Sequence, residues 1–132
     1  MANYPSDLRY TKEHEWVRVE GTTARVGITD YAQAQLGDVV FVELPKAGAR
    51  AQQAKAFGVV ESVKTVSDLF APLSGEVKEV NAELPNRPEW VNQDPYGKGW
   101  MIMIALSNSQ ELDALLTASQ YEAFLSEAGR SS

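Results

Sequence analysis

The chain has 132 residues, of which 44% are hydrophobic, and its 12 Lys and Arg against 18 Asp and Glu give a formal net charge of −6. This length suits one domain over residues 1–132 with a substantial core. The acidic balance argues against nucleic acid as a partner, because phosphate binding needs a basic face. The absence of cysteine excludes disulfides, thiolate metal sites and a cysteine nucleophile.

His14 is the one histidine of the sequence, and a lone histidine is a poor basis for a zinc site. No nucleophile motif accompanies it, so we expect no metal, no catalytic residue, and a structural or surface role for His14. No apolar run approaches the roughly 20 residues that span a bilayer. Residues 1–5 lack the features of a secretory signal or a transit peptide, which predicts a cytoplasmic location and no membrane partner.

Most of the chain is predicted to form short strands separated by turns. Alternating or β-branched runs predict strands at 16–20, 24–28, 38–44, 56–63, 66–71, 76–80 and 100–106. A short helix near 29–36 is predicted between the second and third strands, because Thr29 or Asp30 can cap its start and Gly37 its end. The regular spacing of turns is typical of a small β-sandwich or barrel.

Two segments depart from this pattern. Residues 81–99 form one long connection, and its aromatic residues Trp90 and Tyr96 predict an ordered segment that covers part of the domain. Apolar residues three and four apart predict an amphipathic C-terminal helix near 109–128, with a break near 117–119, that packs on the core.

Lys64 lies between two apolar runs that are expected to form the arms of a hairpin. This arrangement places an accessible amine at a tight turn, to which a ligase could join an acyl group through an amide. An ordinary solvated lysine would look the same, because exposure is usual for lysines. The residues of the hairpin alone therefore predict only a presented amine.

The surrounding sequence resembles the glycine cleavage H-protein family, and the similarity runs from about Leu8 to Leu125 in four separated blocks. The segment around the lysine resembles the lipoyl-attachment motif of that family. The blocks comprise 10–17, 27–45, 61–77 and 91–102, followed by a weaker similarity at 115–122.

The resemblance implies a mainly β fold of the lipoyl/biotinyl type, a barrel-sandwich hybrid (hammerhead) of two antiparallel sheets. It implies lipoate joined covalently to Lys64, and a carrier that is not itself an enzyme. The implied partners are a pyridoxal-phosphate glycine decarboxylase, a tetrahydrofolate-dependent aminomethyltransferase, dihydrolipoyl dehydrogenase and lipoate-attaching enzymes. The implied role is one-carbon transfer in glycine catabolism.

The resemblance also assigns roles to four further residues. Glu15 and Asp68, with Ile28 as an apolar wall, would lie in a cleft that shelters the aminomethyl-loaded arm, where a carboxylate can bind an ammonium group. Glu61 would belong to the surface that the lipoylating enzymes recognise. For Glu15 and Asp68, simple solvent exposure is the alternative.

Other functions have less support. A biotin carrier shares the hairpin lysine but flanks it with methionines, whereas Val63 and Thr65 stand here. The lipoyl domain of a 2-oxoacid dehydrogenase has an acidic residue before the lysine and is shorter. An unmodified scaffold or lipoate-relay role stays open, whereas an enzyme with its own activity has no residue in its favour.

Overall fold

The computed structural model describes residues 4–131, in which nine strands and five short or medium helices follow one another. The strands are β1 (Arg9–Tyr10), β2 (Glu15–Glu20), β3 (Thr23–Ile28), β4 (Val39–Glu43), β5 (Arg50–Ala51), β6 (Ala56–Ser62), β7 (Val66–Phe70), β8 (Gly75–Val80) and β9 (Ile102–Leu106). The α-helices are α1 (Asp30–Leu36), α2 (Trp90–Gln93) and α3 (Ala118–Ser131), and the 3-10 helices are Leu84–Asn86 and Ser109–Ala114.

The strands form two antiparallel sheets, as predicted. The larger sheet has the order β1-β2-β3-β9-β8-β5, and the smaller one has the order β4-β6-β7. Every predicted strand is present with its ends shifted by no more than two residues, whereas the two-residue strands β1 and β5 were not predicted. The mainly β fold class is therefore confirmed.

The main core lies between the two sheets. Side chains that alternate inward along β3 and β9 meet those of β4, β6 and β7 there. Its members include Val26, Ile28, Ile104, Val60 and Leu69, each no more than 3% exposed.

The predicted capping of α1 is confirmed. The hydroxyl of Thr29 accepts a hydrogen bond from the backbone N–H of Ala32, and Gly37 ends the helix with a φ of 78°. That left-handed conformation favours glycine, because it has no Cβ. The end of α1 is thus held at a defined point, beside the side chain of Lys64.

The long connection over residues 81–99 is ordered, as predicted, and includes α2 and one 3-10 helix that were not predicted. Leu84 and Val91 in this segment are fully buried in the main core. Asn92 ties the connection to α1, since its side-chain amide donates to the backbone oxygen of Gly37 at 2.8 Å. The same side chain accepts from the backbone N–H of Val39, so it also fixes the start of β4.

The C-terminal helix starts later than predicted. Residues 109–114 form a 3-10 helix, α3 begins at Ala118, and Leu116 pairs with Tyr10 across an extended stretch between them. The predicted break is real but lies slightly earlier, because Leu116 and Tyr10 exchange two backbone hydrogen bonds. α3 packs its buried face on the domain, and the ring of Tyr121 stacks on that of Tyr10 with a centroid distance of 4.9 Å.

Candidate functional site: a hairpin lysine beside a cleft

Lys64 lies exposed in the tight turn between β6 and β7. The hydroxyl oxygen of Ser62, which is itself buried, accepts hydrogen bonds from the backbone N–H groups of Lys64 and Thr65 at 3.1 and 3.2 Å. The backbone N–H of Ser62 donates to the carbonyl of Thr65 at 2.8 Å, which closes the turn. The backbone of the lysine is therefore held rigidly while its side chain points outward, as the sequence predicted.

The side chain of Lys64 lies over Gly37, at the end of α1. A Cβ built on Gly37 would lie 3.1 Å from Cε of the lysine and 3.8 Å from its Nζ. Any larger residue at position 37 would therefore crowd the lysine stem. This contact places the amine beside the helix whose last residues line the neighbouring cleft.

That cleft has a volume of about 260 Å³, and Glu15, Ile28 and Asp68 all line it. Three residues far apart in sequence are thus brought together where the resemblance predicted a shared site. The cleft is closed on one side by α1 and on another by β6 and β7. Further lining residues are His14, Tyr31, Leu36, Val60 and Ser67.

Glu15 is the buried polar group of this cleft, with only 2% of its surface exposed. Its Oε1 accepts from the hydroxyl of Thr11 at 2.7 Å, and its Oε2 accepts from the backbone N–H of Phe70 at 3.2 Å. Desolvation raises the pKa of Glu15 to about 8, although these two hydrogen bonds act in the opposite direction. Burial of Glu15 therefore favours the neutral form of this carboxyl.

A second cavity of about 300 Å³ adjoins the same carboxyl. It shares Glu13 and Glu15 with the cleft, and its other walls include Phe70, Pro72 and Leu115. Neither Ile28 nor Asp68 lines it, and Leu36 at the end of α1 beside Lys64 does not line it either. Although slightly larger, it is thus a weaker candidate for the functional site than the cleft beside α1.

Asp68 is exposed and lies at the edge of the cleft, in contrast to Glu15. Asp68 pairs with Val59, whereas its neighbour Ser67 pairs with the fully buried Val60. Since paired residues of antiparallel strands share a face, Ser67 lies on the inner face and Asp68 on the outer one. Ser67 is not among the predicted site residues, although the alternation along β7 indicates the direction of its side chain.

His14 also lines the cleft, and its ring contacts a residue of the C-terminal helix. Its backbone has a φ of 73°, and its Nδ1 lies 2.8 Å from the hydroxyl of Tyr121. That hydroxyl lies 2.8 Å from the hydroxyl of Thr29 as well. Desolvation lowers the pKa of His14, which favours the neutral ring. Tyr121 thus connects α3 to a residue that lines the cleft, His14, and to the N-cap of α1, Thr29. These residues are so distant in sequence that no local pattern indicates the contact.

Glu61 lies outside the cleft. It is exposed on β6, where it pairs with Phe41 of β4 on one side and with Val66 of β7 on the other.

Within residues 4–131, no group of three or more potential ligands could hold a metal ion. The same range contains no helix that is both long and apolar enough to cross a membrane.

Comparison with known proteins connects this geometry to a family. The family model for "Glycine cleavage H-protein" matches residues 8–128. The chain belongs to the glycine cleavage H-protein family. This match favours the H-protein interpretation over the biotin-carrier and 2-oxoacid dehydrogenase alternatives.

Individual H-proteins are similar over nearly their whole length. The glycine cleavage system H protein of Symbiobacterium thermophilum is 62% identical over 96% of this chain and 99% of its own. That of Geobacillus kaustophilus is 61% identical over 95% and 98%. The crystal structure of an H protein from Mycobacterium marinum superposes with a TM-score of 0.85 at 40% identity, covering 93% of this chain and 99% of that one.

Proposed function

We propose that this protein carries lipoate on Nζ of Lys64 and acts as the shuttle of a glycine cleavage system. The observation that carries this proposal is the position of Lys64 on a rigid turn, with its stem against Gly37 beside a cleft that contains a buried carboxyl. Membership of the H-protein family supports the same role. The cytoplasmic location, the single-domain organisation and the absence of intrinsic enzyme activity stay predictions from the sequence.

The residues present fit a lipoyl group. Gly37 leaves open the space that a Cβ would fill, so the lysine stem and the chain attached to it can pass the end of α1. Beyond that point, Ile28, Leu36 and Val60 provide apolar walls for a hydrocarbon arm. Glu15 provides a polar end to the same cleft.

Lipoate, when bound, supplies a disulfide that accepts an aminomethyl group from glycine decarboxylation and later returns to the oxidised form through dihydrolipoyl dehydrogenase. The chain itself contributes presentation and shelter. Ser62 fixes the turn so that the amine points outward. The apolar walls exclude water from whatever enters the cleft.

The carboxyl oxygens of Glu15 would bind either a proton or a cation in a fixed position. Thr11 and the backbone of Phe70 orient its two oxygens, so an ammonium group in the cleft meets a fixed carboxyl. Because a buried ionised carboxylate is costly without a partner, the cation and the ionised form of Glu15 stabilise each other. Asp68 lies at the edge of the cleft on the outer face of β7, where its carboxylate is exposed to solvent.

The test begins with the protein expressed with lipoate available, followed by intact-mass measurement and peptide mapping. We expect one lipoyl increment on the peptide that contains Lys64. The modified protein should then support release of carbon dioxide from glycine by a purified glycine decarboxylase, and transfer of the one-carbon unit to tetrahydrofolate when the aminomethyltransferase is added. A biotin-sized increment, or a lipoylated protein that supports neither reaction, would overturn the proposal.

A further inference from the structure

Side chains of the long connection over residues 81–99 hold both ends of α1. At the first turn of the helix, the hydroxyl of Tyr96 accepts a hydrogen bond from the backbone N–H of Asp30 at 2.9 Å. At its last turn, the side-chain amide of Asn92 donates to the backbone oxygen of Gly37 at 2.8 Å. Backbone groups at the ends of a helix have no partner within the helix, so the connection supplies the partners that α1 lacks.

The position of α1 depends on such contacts, because the helix has only seven residues and a helix this short is not stable by itself. Four of its residues line the cleft, namely Tyr31, Ala32, Gln35 and Leu36. The stem of Lys64 lies over Gly37 at its end. A displaced α1 would therefore admit water to the cleft and remove the surface against which the lysine stem packs.

Asn92 also contacts the segment that joins α1 to the lysine turn. Its Oδ1 accepts from the backbone N–H of Val39 at 2.9 Å, and Val39 pairs with Ser62, the residue that closes the turn. Between these two contacts, the backbone oxygen of Asp38 accepts from the N–H of Val63 at 3.0 Å. One carboxamide thus fixes both the end of α1 and the strand that supports the turn.

The part of the connection that contacts α1 is itself attached to the core and to β2. Val91 is fully buried in the main core. The carbonyl of Pro95 accepts from the indole N–H of Trp16 at 2.9 Å, and the carbonyl of Tyr96 accepts from the guanidinium of Arg18 at 3.2 Å. The contacts at α1 therefore start from a fixed support.

We infer that Asn92 and Tyr96 are positioning residues for the arm on Lys64, which they act on through α1 and the lysine turn. This inference rests on the proposed function. Neither side chain lines the cleft, so neither is placed to touch an arm that lies in it. Their effect is on water: the aminomethyl group is lost when water breaks its C–S and C–N bonds, which releases the thiol, formaldehyde and an ammonium ion. A fixed α1 slows this loss by keeping the cleft closed.

The main test is Asn92→Asp, which keeps the oxygen that accepts from Val39 and removes the donors to Gly37 and to Oε1 of Gln33. The lipoylated protein is loaded by purified glycine decarboxylase with glycine radiolabelled at its α-carbon, and release of labelled formaldehyde is followed after the enzyme is removed. We expect release about tenfold faster than in the wild type, from the loss of these hydrogen bonds. In the unmodified protein, hydrogen exchange of the Val63 N–H, measured by NMR, should accelerate by about the same factor.

Asn81→Asp is the matched control within the same connection. The side-chain amide of Asn81 also donates two hydrogen bonds, to the backbone oxygens of Lys98 and Trp100 at 2.8 Å each. Its loss should lower the melting temperature but leave formaldehyde release and Val63 exchange at wild-type rates. Equal acceleration of release in the two variants would overturn the inference, because it would reflect a general loss of stability.

Tyr96→Phe is a milder second variant, which removes only the hydroxyl that accepts from Asp30. It should accelerate release about threefold, and it decides the matter if Asn92→Asp does not fold. An unchanged release rate in the folded variants would overturn the inference. Failure of the wild type to accept lipoate would instead refute the proposed function. Val63 exchange would still test the role of Asn92 at the turn, and an unchanged rate in Asn92→Asp would overturn that role.

Discussion

The hydroxyl of Thr11 makes two hydrogen bonds with Glu15, one to its side chain and one from its backbone. The hydroxyl donates to Oε1 of Glu15 at 2.7 Å, and its oxygen accepts from the backbone N–H of Glu15 at 3.1 Å. The turn that precedes β2 thereby orients the buried carboxyl of the cleft. One threonine side chain thus connects a local turn to the chemistry of the site.

Replacing Thr11 by valine should raise the pKa of Glu15 further. The hydroxyl lowers this pKa by donating to the carboxylate, so its removal disfavours the ionised form. Thr11→Ser keeps the donor and should leave the pKa near its wild-type value. The titration of the Glu15 carboxyl carbon by NMR measures both, and an unchanged value in the valine variant would contradict the hydrogen bond.

Glu15→Gln should change how stability depends on pH. Burial raises the pKa of Glu15 from 4.5 to about 8, so between these values the folded protein holds a proton that the unfolded chain has lost. The free energy of unfolding must therefore fall as pH rises through this window, by up to about 5 kcal/mol for this group, and then level off above pH 8.

The glutamine variant lacks this titration, so its stability should fall less steeply with pH and exceed that of the wild type near pH 8. Urea unfolding at a series of pH values tests this expectation. Glu79→Gln on the exposed surface of β8 provides the control, with no change in slope. Parallel curves for wild type and Glu15→Gln would rule out a buried, neutral Glu15.

Tyr121→Phe should destabilise the protein by about 1–2 kcal/mol. The ring would keep its stacking on Tyr10, but His14 and Thr29 would lose their shared hydroxyl partner. Thermal or chemical unfolding measures the loss. Tyr31→Phe is the matched control, because Tyr31 lines the same cleft without a hydrogen bond from its hydroxyl among the described contacts.

Gly27→Ala should cost about 1–3 kcal/mol through overpacking. A Cβ at Gly27 would lie 2.7 Å from the ring of Trp16, which is fully buried and donates its indole N–H to the carbonyl of Pro95 at 2.9 Å. The ring therefore has little freedom to retreat. A double-mutant cycle with Trp16→Phe isolates the clash, since the smaller ring should recover part of the loss. Additive effects would show that the two positions do not interact.

Lys64→Arg should abolish lipoate attachment while changing the free energy of unfolding by no more than about 0.5 kcal/mol, because the side chain is exposed on a surface turn. Lys55→Arg, at another exposed lysine, should accept lipoate normally. Intact mass and thermal unfolding measure the two effects. A large fall in melting temperature would contradict the exposed placement of Lys64.

Local sequence features determined most of the strands, the ends of α1 and the turn that presents Lys64. Strand alternation predicted seven of the strands, and Thr29 with Gly37 predicted both ends of α1. These features depend on interactions within a few residues, such as a hydroxyl that caps a helix or a left-handed backbone that favours glycine. The presented amine of Lys64 belongs to the same class, because Ser62 closes its turn from two residues away.

Tertiary structure alone decided what surrounds Glu15. Its neighbours in sequence leave open whether the carboxylate is solvated, as for Asp68, or buried. The answer depends on the backbone N–H of Phe70, 55 residues away, and on the walls that pack around it. The burial of the Glu15 carboxyl depends on the segments, distant in sequence, that pack around it and exclude water. Its pKa follows from this burial, so both are properties of the packed fold.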